Sequence, residues 1–236
     1  MTLHILATGT SRGIGEAIAA RLRTEDVRIV GHASRPGDSG TIAADLSDPS
    51  APGTLWNAAL DRLDGRIDVL VNNAGIFEAA PIEQPEESWS HAWARTMQIN
   101  LTASAQLSRL AVLHFRSLGG GRIVNVASRA AYRGDSPLHW HYAASKAGMI
   151  GMTKTIARGY AAEGIYAFAV CPGFTLTGMA EDYLASRGGD GLLADIPLGR
   201  VAMPEEVAET VKFLALDAPP SMTGAVIDIN GASYVR

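Results

Sequence analysis

A chain of 236 residues, 47% hydrophobic and 19% charged, is long and apolar enough to bury one sizeable α/β core. Its formal net charge of −4 argues against a nucleic-acid or anionic-membrane surface as partner. The single cysteine, Cys171, excludes an internal disulfide, offers no metal-ligand spacing and fits a reducing compartment. The opening run Leu3-His4-Ile5-Leu6-Ala7 carries no basic region and no long apolar segment, so neither a signal peptide nor a membrane span is expected. The cytoplasm is the default location.

From there, short apolar runs alternate with amphipathic stretches to the end of the chain, the pattern of a parallel sheet covered by helices. Strands are predicted at about 3–7, 27–31, 41–44, 67–71, 121–127, 165–170 and 225–229. Helices are predicted near 13–23, 51–63, 86–117, 140–163 and 204–216. No repeat, low-complexity tract or linker divides the sequence, and a single domain is expected. One connection is short: only eleven residues separate Val30 from Ile42, Ser34-Arg35-Pro36-Gly37-Asp38-Ser39-Gly40 among them. A crossover between parallel strands usually takes about a dozen residues or more with a helix. Pro and Gly disfavour a helix here, so a loop is expected to replace it and to leave that side of the sheet more exposed.

The first predicted strand runs into Thr8-Gly9-Thr10-Ser11-Arg12-Gly13-Ile14-Gly15 and then a helical pattern. Glycines at 9, 13 and 15 allow a tight turn and a close approach of backbone to a pyrophosphate at the helix N-terminus, where free N–H groups favour anions. A turn that merely reverses the chain is the competing reading; the strand before and the helix after favour nucleotide binding. In a later stretch, His141-Tyr142-Ala143-Ala144-Ser145-Lys146, the phenol and the ammonium lie four residues apart, on one face of a helix. A cation beside a phenol favours the phenolate, which suits the pair to passing a proton to and from an alcohol oxygen. Alone, that spacing is common on solvated helices.

Taken in order, the glycine turn, Asn72-Asn73-Ala74-Gly75 after a strand, Asn100 on the long middle helix, Ser128, Tyr142 with Lys146, Pro172-Gly173 and the closing Val226-Ile227-Asp228-Ile229-Asn230-Gly231 resemble the short-chain dehydrogenase/reductase family over essentially the whole chain. The pattern is most similar to its 3-oxoacyl-carrier-protein reductase type. The resemblance implies a Rossmann-type doubly wound parallel sheet in three α/β/α layers. It implies an NAD(P)-dependent oxidoreductase acting on a carbonyl/secondary-alcohol pair, commonly assembled as a homotetramer, with a dimer as the alternative. It implies that Tyr142 is the general acid/base and that Lys146 lowers the Tyr142 pKa and binds the nicotinamide ribose. Ser128 is to orient the substrate oxygen, and Asn100 to hold a water that relays protons to Lys146.

Cofactor contacts are expected from Gly9, Ser11, Arg12, Gly13, Ile14 and Gly15 in the turn, from Ser34 and Arg35 after the second strand, and from Asp45 and Leu46 after the third. Asn73, Ala74 and Gly75 bring backbone against the adenosine ribose, while Asn72 ties strands together. Pro172, Gly173, Thr175 and Thr177 are expected at the nicotinamide carboxamide. Asp45 has a rival role as a turn acid ahead of Ser47. The second strand ends without the carboxylate that would repel a 2′-phosphate, and Arg12 and Arg35 offer planar forks for one. NADP(H) is therefore expected, with NAD(H) as the alternative.

Phe77, Tyr132, Trp140, Phe174 and Tyr183 are candidates for an apolar substrate pocket, and residues 178–199 for a lid over it. Arg129, directly after Ser128, is a candidate for a substrate carboxylate. His139 and His141 lack a third ligand for a metal, and Cys171 reads as a small buried apolar residue rather than a nucleophile. Carrier-protein reductases dock an acidic carrier with basic residues near the ends of the two long helices. Here Glu163 stands in that position and only Arg116 precedes Gly119, so a small ketone or secondary alcohol is the expected substrate. A non-catalytic dinucleotide sensor or a scaffold would not need Tyr142, Lys146 and the glycine turn together.

Overall fold

The structure is a computed structural model that describes residues 2–37, 40–177 and 189–236. Its strands are β1 (Leu3–Ala7), β2 (Val27–Ala33), β3 (Thr41–Ala43), β4 (Val69–Asn72), β5 (Gly121–Val126), β6 (Ile165–Pro172) and β7 (Val226–Ile229). They form one seven-stranded sheet in the order β3-β2-β1-β4-β5-β6-β7 with every pairing parallel. All four residues of β4 and the last six of β6 are buried, because helices cover both faces.

Alternation along the strands divides the core into two layers. On one face Ile5, Val71, Val124 and Val170 meet Ile18 and Leu22 of α1 (Gly13–Leu22) and Val207 and Val211 of α8 (Pro204–Lys212). On the other, Leu6, Leu70 and Ile123 meet Leu55 of α2 (Ala51–Arg62), Leu107 and Phe115 of α4 (Ala103–Leu118) and Ile156 of α6 (Trp140–Tyr160). Each such buried side chain contributes on the order of 1.5–3 kcal/mol. The expected doubly wound, three-layer architecture is what these residues build. β1 has β2 on one side and β4 on the other, so the turns that leave β1 and β4 border a crevice at the carboxyl ends of the strands.

A loop does replace the helix between β2 and β3 among the described residues, and Ser34 to Gly37 are exposed. The long middle helix is not continuous. It comprises α3 (Glu86–Met97), a π-helical turn (Gln98–Thr102) and α4. Another π-helical turn, Phe213–Asp217, closes α8. Two short helices, α5 (Ala130–Arg133) and α7 (Gly189–Ala194), carry too few residues for a periodic signal. Among the described residues no helix is long and apolar enough to cross a membrane.

Candidate active site

Three elements bring the proposed catalytic side chains together. β5 ends at Val126, and its main-chain oxygen accepts a 2.9 Å hydrogen bond from Lys146 Nζ on α6. Two residues on, Ser128 Oγ accepts the Ala130 amide at 3.1 Å, which fixes the hydroxyl at the start of α5. One helical turn before Lys146, Tyr142 points the same way, with Lys146 Nζ 5.8 Å from its ring centre. Gly75, after β4, lies against them: a Cβ there would sit 3.5 Å from Lys146 Nζ and 3.4 Å from Asn100 Oδ1.

Burial sets the proton affinities. Loss of solvent raises the Tyr142 phenol to about 12, and the Ser128 hydroxyl pulls it partly back. Loss of solvent lowers the Lys146 ammonium to about 8. Desolvation is the largest influence on the phenol, and the Ser128 hydroxyl is the group that acts against it.

Asn100 is fully buried in the π-helical turn. Its Oδ1 accepts the Ile76 amide at 2.8 Å and its Nδ2 donates to the Ile76 carbonyl at 2.9 Å. A side chain committed to another segment's backbone in this way occupies the point where the helix widens by one residue. The side chain thus docks the loop after β4, and its Nδ2 also lies 3.4 Å from Ser145 Oγ on α6.

The glycine turn is built as a cradle. Gly9 and Gly13 have φ of +68° and +57°, and a Cβ on Gly15 would lie 1.9 Å from the Gly9 carbonyl oxygen. Arg12 precedes α1 in an extended conformation without a side-chain cap, so the first amides of the helix are left for an anion. These features fit the pyrophosphate of a dinucleotide. Three side chains hold the turn in shape: Asn73, expected at the adenosine ribose, and Thr8 and His32, to which the sequence assigned no role. Thr8 Oγ1 accepts the amides of Asn73 and Ala74, both at 3.0 Å. Asn73 Nδ2 donates to the carbonyls of Thr8 and Gly9 at 3.0 Å. His32, 2% exposed, accepts the Gly9 amide on Nδ1 at 3.1 Å and donates from Nε2 to the Ala44 carbonyl at 2.8 Å. Only Thr8, adjacent to Gly9, lay close enough in sequence to draw attention.

Ser11, Arg12, Ser34 and Arg35 are exposed around the cradle, and among the described residues no carboxylate pairs with either arginine. Ile14 packs with the α1 core layer and Leu46 with the α2 layer. Asp45 takes its rival role: Oδ1 accepts the Ser47 amide at 3.0 Å and hydroxyl at 2.8 Å, and these bonds lower its pKa. Asn72 does tie strands, donating to Asn125 Oδ1 at 2.8 Å and to Ser108 Oγ at 3.1 Å. At the far end of the crevice Gly173 packs against Asn230, where a Cβ would meet Cα at 2.9 Å. Thr175 is buried, and its hydroxyl donates to the Gly173 carbonyl at 3.2 Å. Thr177 lies beside the cradle, its Cγ2 3.0 Å from a Cβ placed on Gly13.

The aromatic candidates separate. Phe77 stands edge-on to Tyr142 at 4.7 Å and stacks on His139 at 3.8 Å. Tyr132 stacks with Tyr234 at 5.9 Å and takes a hydrogen bond from Arg236, so it belongs to the C-terminal packing and not to the pocket. Trp140 is 54% exposed. Tyr183 and residues 178–188 of the expected lid lie outside the described residues; the remainder folds into α7 and packs Ile196 against Phe174 and Leu176. Cys171 is fully buried, with its thiol pushed up to about 12, as befits a core residue. Among the described residues no group of three or more His, Cys, Asp or Glu could hold a metal ion.

The chain is similar to known proteins over nearly its whole length. A family model described as enoyl-(acyl carrier protein) reductase matches residues 9–232. The 3-oxoacyl-(acyl-carrier-protein) reductase of Vibrio cholerae is 35% identical over 98% of this chain and 96% of its own length. That of Thermotoga maritima is 36% identical over 98% and 97%, and the acetoacetyl-CoA reductase of Rhizobium meliloti 34% over 99% of both chains. With a doubly wound sheet, a glycine cradle and a full-length match, the chain belongs to the short-chain dehydrogenase/reductase family of NAD(P)-dependent oxidoreductases acting on CH–OH and C=O groups.

Proposed function

We propose that this enzyme reduces the carbonyl of a small ketone with NADPH. The observation that carries this reading is the meeting of Tyr142, Ser128 and Lys146 beside Gly75 at the carboxyl end of β5. A bound nicotinamide dinucleotide supplies the hydride. Tyr142 delivers its phenolic proton to the carbonyl oxygen, and its high proton affinity keeps that proton in place until charge develops there. Ser128 donates to the same oxygen and steadies the developing negative charge. Lys146, held by the Val126 carbonyl, would bind the nicotinamide ribose and return a proton to the phenol, with Asn100 as the expected holder of a relaying water.

Arg12 and Arg35, exposed and without carboxylate partners among the described residues, would bind the 2′-phosphate. Gly9, Gly13 and Gly15 would admit the pyrophosphate, Asn73 to Gly75 the ribose, and Thr177 the carboxamide end. Arg116 is bound to Glu163 through two hydrogen bonds of 2.6 and 2.9 Å, so the basic residue nearest the expected carrier-docking position is already neutralised. This supports a substrate free of an acidic carrier protein. We read the protein as a cytoplasmic homo-oligomer, a reading that rests on the family resemblance.

The test is a fluorescence titration with NADPH and NADH of the wild type and an Arg12→Ala, Arg35→Ala double variant. NADPH is expected to bind at least about 10-fold more tightly than NADH, and the double variant to lose that preference. Equal or tighter NADH binding by the wild type would overturn the NADPH assignment.

A further inference from the structure

Arg129 follows Ser128 directly and is 8% exposed. Its guanidinium lies over the Phe174 ring, 4.8 Å from the centroid. Among the described residues Nη1 has no hydrogen-bond acceptor. The nearest carboxylate oxygen, Asp195 Oδ2, stands 3.8 Å from it and is already held at 2.6 Å by Arg133. A buried cation without an acceptor is costly, and burial accordingly lowers the proton affinity of this guanidinium.

Arg129 opens onto a cleft of about 300 Å³ that it lines with Arg133, Gly134, Asp135 and Ser136. Asp135 accepts the Ser136 amide at 2.8 Å, and the segment that lines the cleft begins directly after Ser128, whose Oγ accepts the Ala130 amide at 3.1 Å. We propose that Arg129 anchors a carboxylate on the substrate, which makes oxo acids and their hydroxy-acid products the substrate class of this enzyme. This inference rests on the carbonyl-reductase reading of Ser128 and Tyr142.

The charges around the cleft favour a monoanion. Arg133 and Asp195 neutralise each other, which leaves Arg129 for the ligand, while Asp135 at the rim disfavours a second negative charge. Phe174 holds the guanidinium flat, and a planar fork donates to both oxygens of a carboxylate. Ser128 and Arg129 are consecutive, and the proposal calls for one molecule that carries both the reacting carbonyl and the carboxylate.

The experiment measures kcat/KM with NADPH for acetoacetate and pyruvate against their methyl esters. Quenching of bound NADPH fluorescence by each ligand is measured in parallel, so that the ratio is read even where turnover is slow. The wild type is expected to prefer the acids at least about 10-fold, and Arg129→Met to lower the acid-to-ester ratio about 50-fold or more. Asp195→Asn, at a half-exposed position, removes the carboxylate that lies 3.8 Å from Arg129 Nη1 and is expected to raise the ratio severalfold. That variant reports even if Arg129→Met fails to fold. A wild type without acid preference, an Arg129→Met variant that lowers acid and ester equally, or an Asp195→Asn variant that lowers the ratio overturns the proposal. Absence of NADPH binding would overturn the reductase reading itself, and this inference with it; NADPH binding with no acid preference overturns the inference alone.

Discussion

Replacing His32 by alanine takes away two hydrogen bonds that hold the glycine turn against the β2–β3 edge. The ring accepts the Gly9 amide on Nδ1 and donates to the Ala44 carbonyl from Nε2, so the neutral form with its proton on Nε2 is the one the site requires. Each partner left dry costs about 1–3 kcal/mol, and the cavity behind a ring only 2% exposed adds to that. The expected loss is about 3–5 kcal/mol, a large share of the roughly 5–15 kcal/mol that holds a domain folded. NADPH binding is expected to weaken about 10-fold or more, because Gly9 is no longer fixed beneath the cradle. Acid does to the ring what the substitution does. Burial holds the His32 pKa below its ordinary 6.5. Between that value and the lower folded one, the unfolded chain binds a proton that the folded chain does not. Stability is therefore full above about pH 6.5 and falls as pH drops through the folded pKa. Urea unfolding and NADPH titration at about pH 7.5 and about pH 5.5 check both parts. A His32→Ala protein with the wild-type midpoint and affinity, or one that keeps the wild-type slope of stability with pH, would refute the reasoning.

Gly15→Ala places a Cβ 1.9 Å from the Gly9 oxygen and 2.4 Å from Asn73 Nδ2, so the cradle must open. NADPH affinity is expected to fall about 100-fold while stability drops only about 1–3 kcal/mol; wild-type binding in a titration would contradict the cradle assignment. Lys146, with its ammonium lowered to about 8, loses its charge within an accessible range. The log of kcat for reduction is expected to decline with unit slope above that pH, and Lys146→Arg to flatten the limb at lower overall activity. A wild-type profile level to about pH 10 would exclude Lys146 as the titrating group.

Much of the fold was legible because the chain states it locally. Apolar runs such as Val69-Leu70-Val71 and Phe168-Ala169-Val170 mark buried strands, and Pro36 with Gly37 and Gly40 announced the missing helix. Tyr142 and Lys146 were legible for the same reason, since helical spacing alone puts them on one face. What stayed hidden depends on partners distant in sequence. His32 becomes part of the site only because β2 pairs with β1 and brings its ring beneath Gly9, 23 residues away. Asn100 interrupts a periodic helix because Ile76 lies alongside, and no helical pattern records that neighbour. Tyr132, read as pocket lining, is claimed by Tyr234 and Arg236 at the far end of the chain. Asp45 could be read either way, and its turn with Ser47 is the more local of the two readings.

The pairing of Tyr142 with Lys146 shows why spacing does not give chemistry. A cation next to a phenol, considered alone, argues for a depressed pKa and a ready base. In the folded protein the ammonium is bound to the Val126 carbonyl and lies 5.8 Å from the ring centre, while both groups have lost solvent. The phenol rises to about 12 and the ammonium falls to about 8, so both hold their protons at neutral pH. Forming the phenolate at pH 7 costs about 7 kcal/mol at that phenol pKa. Alcohol oxidation requires that phenolate as proton acceptor, whereas carbonyl reduction requires the protonated phenol that is already there. Under the proposed function the protonated phenol is the form that carbonyl reduction uses. Ser128, which draws the phenol pKa back down, eases proton release as the carbonyl oxygen gains charge.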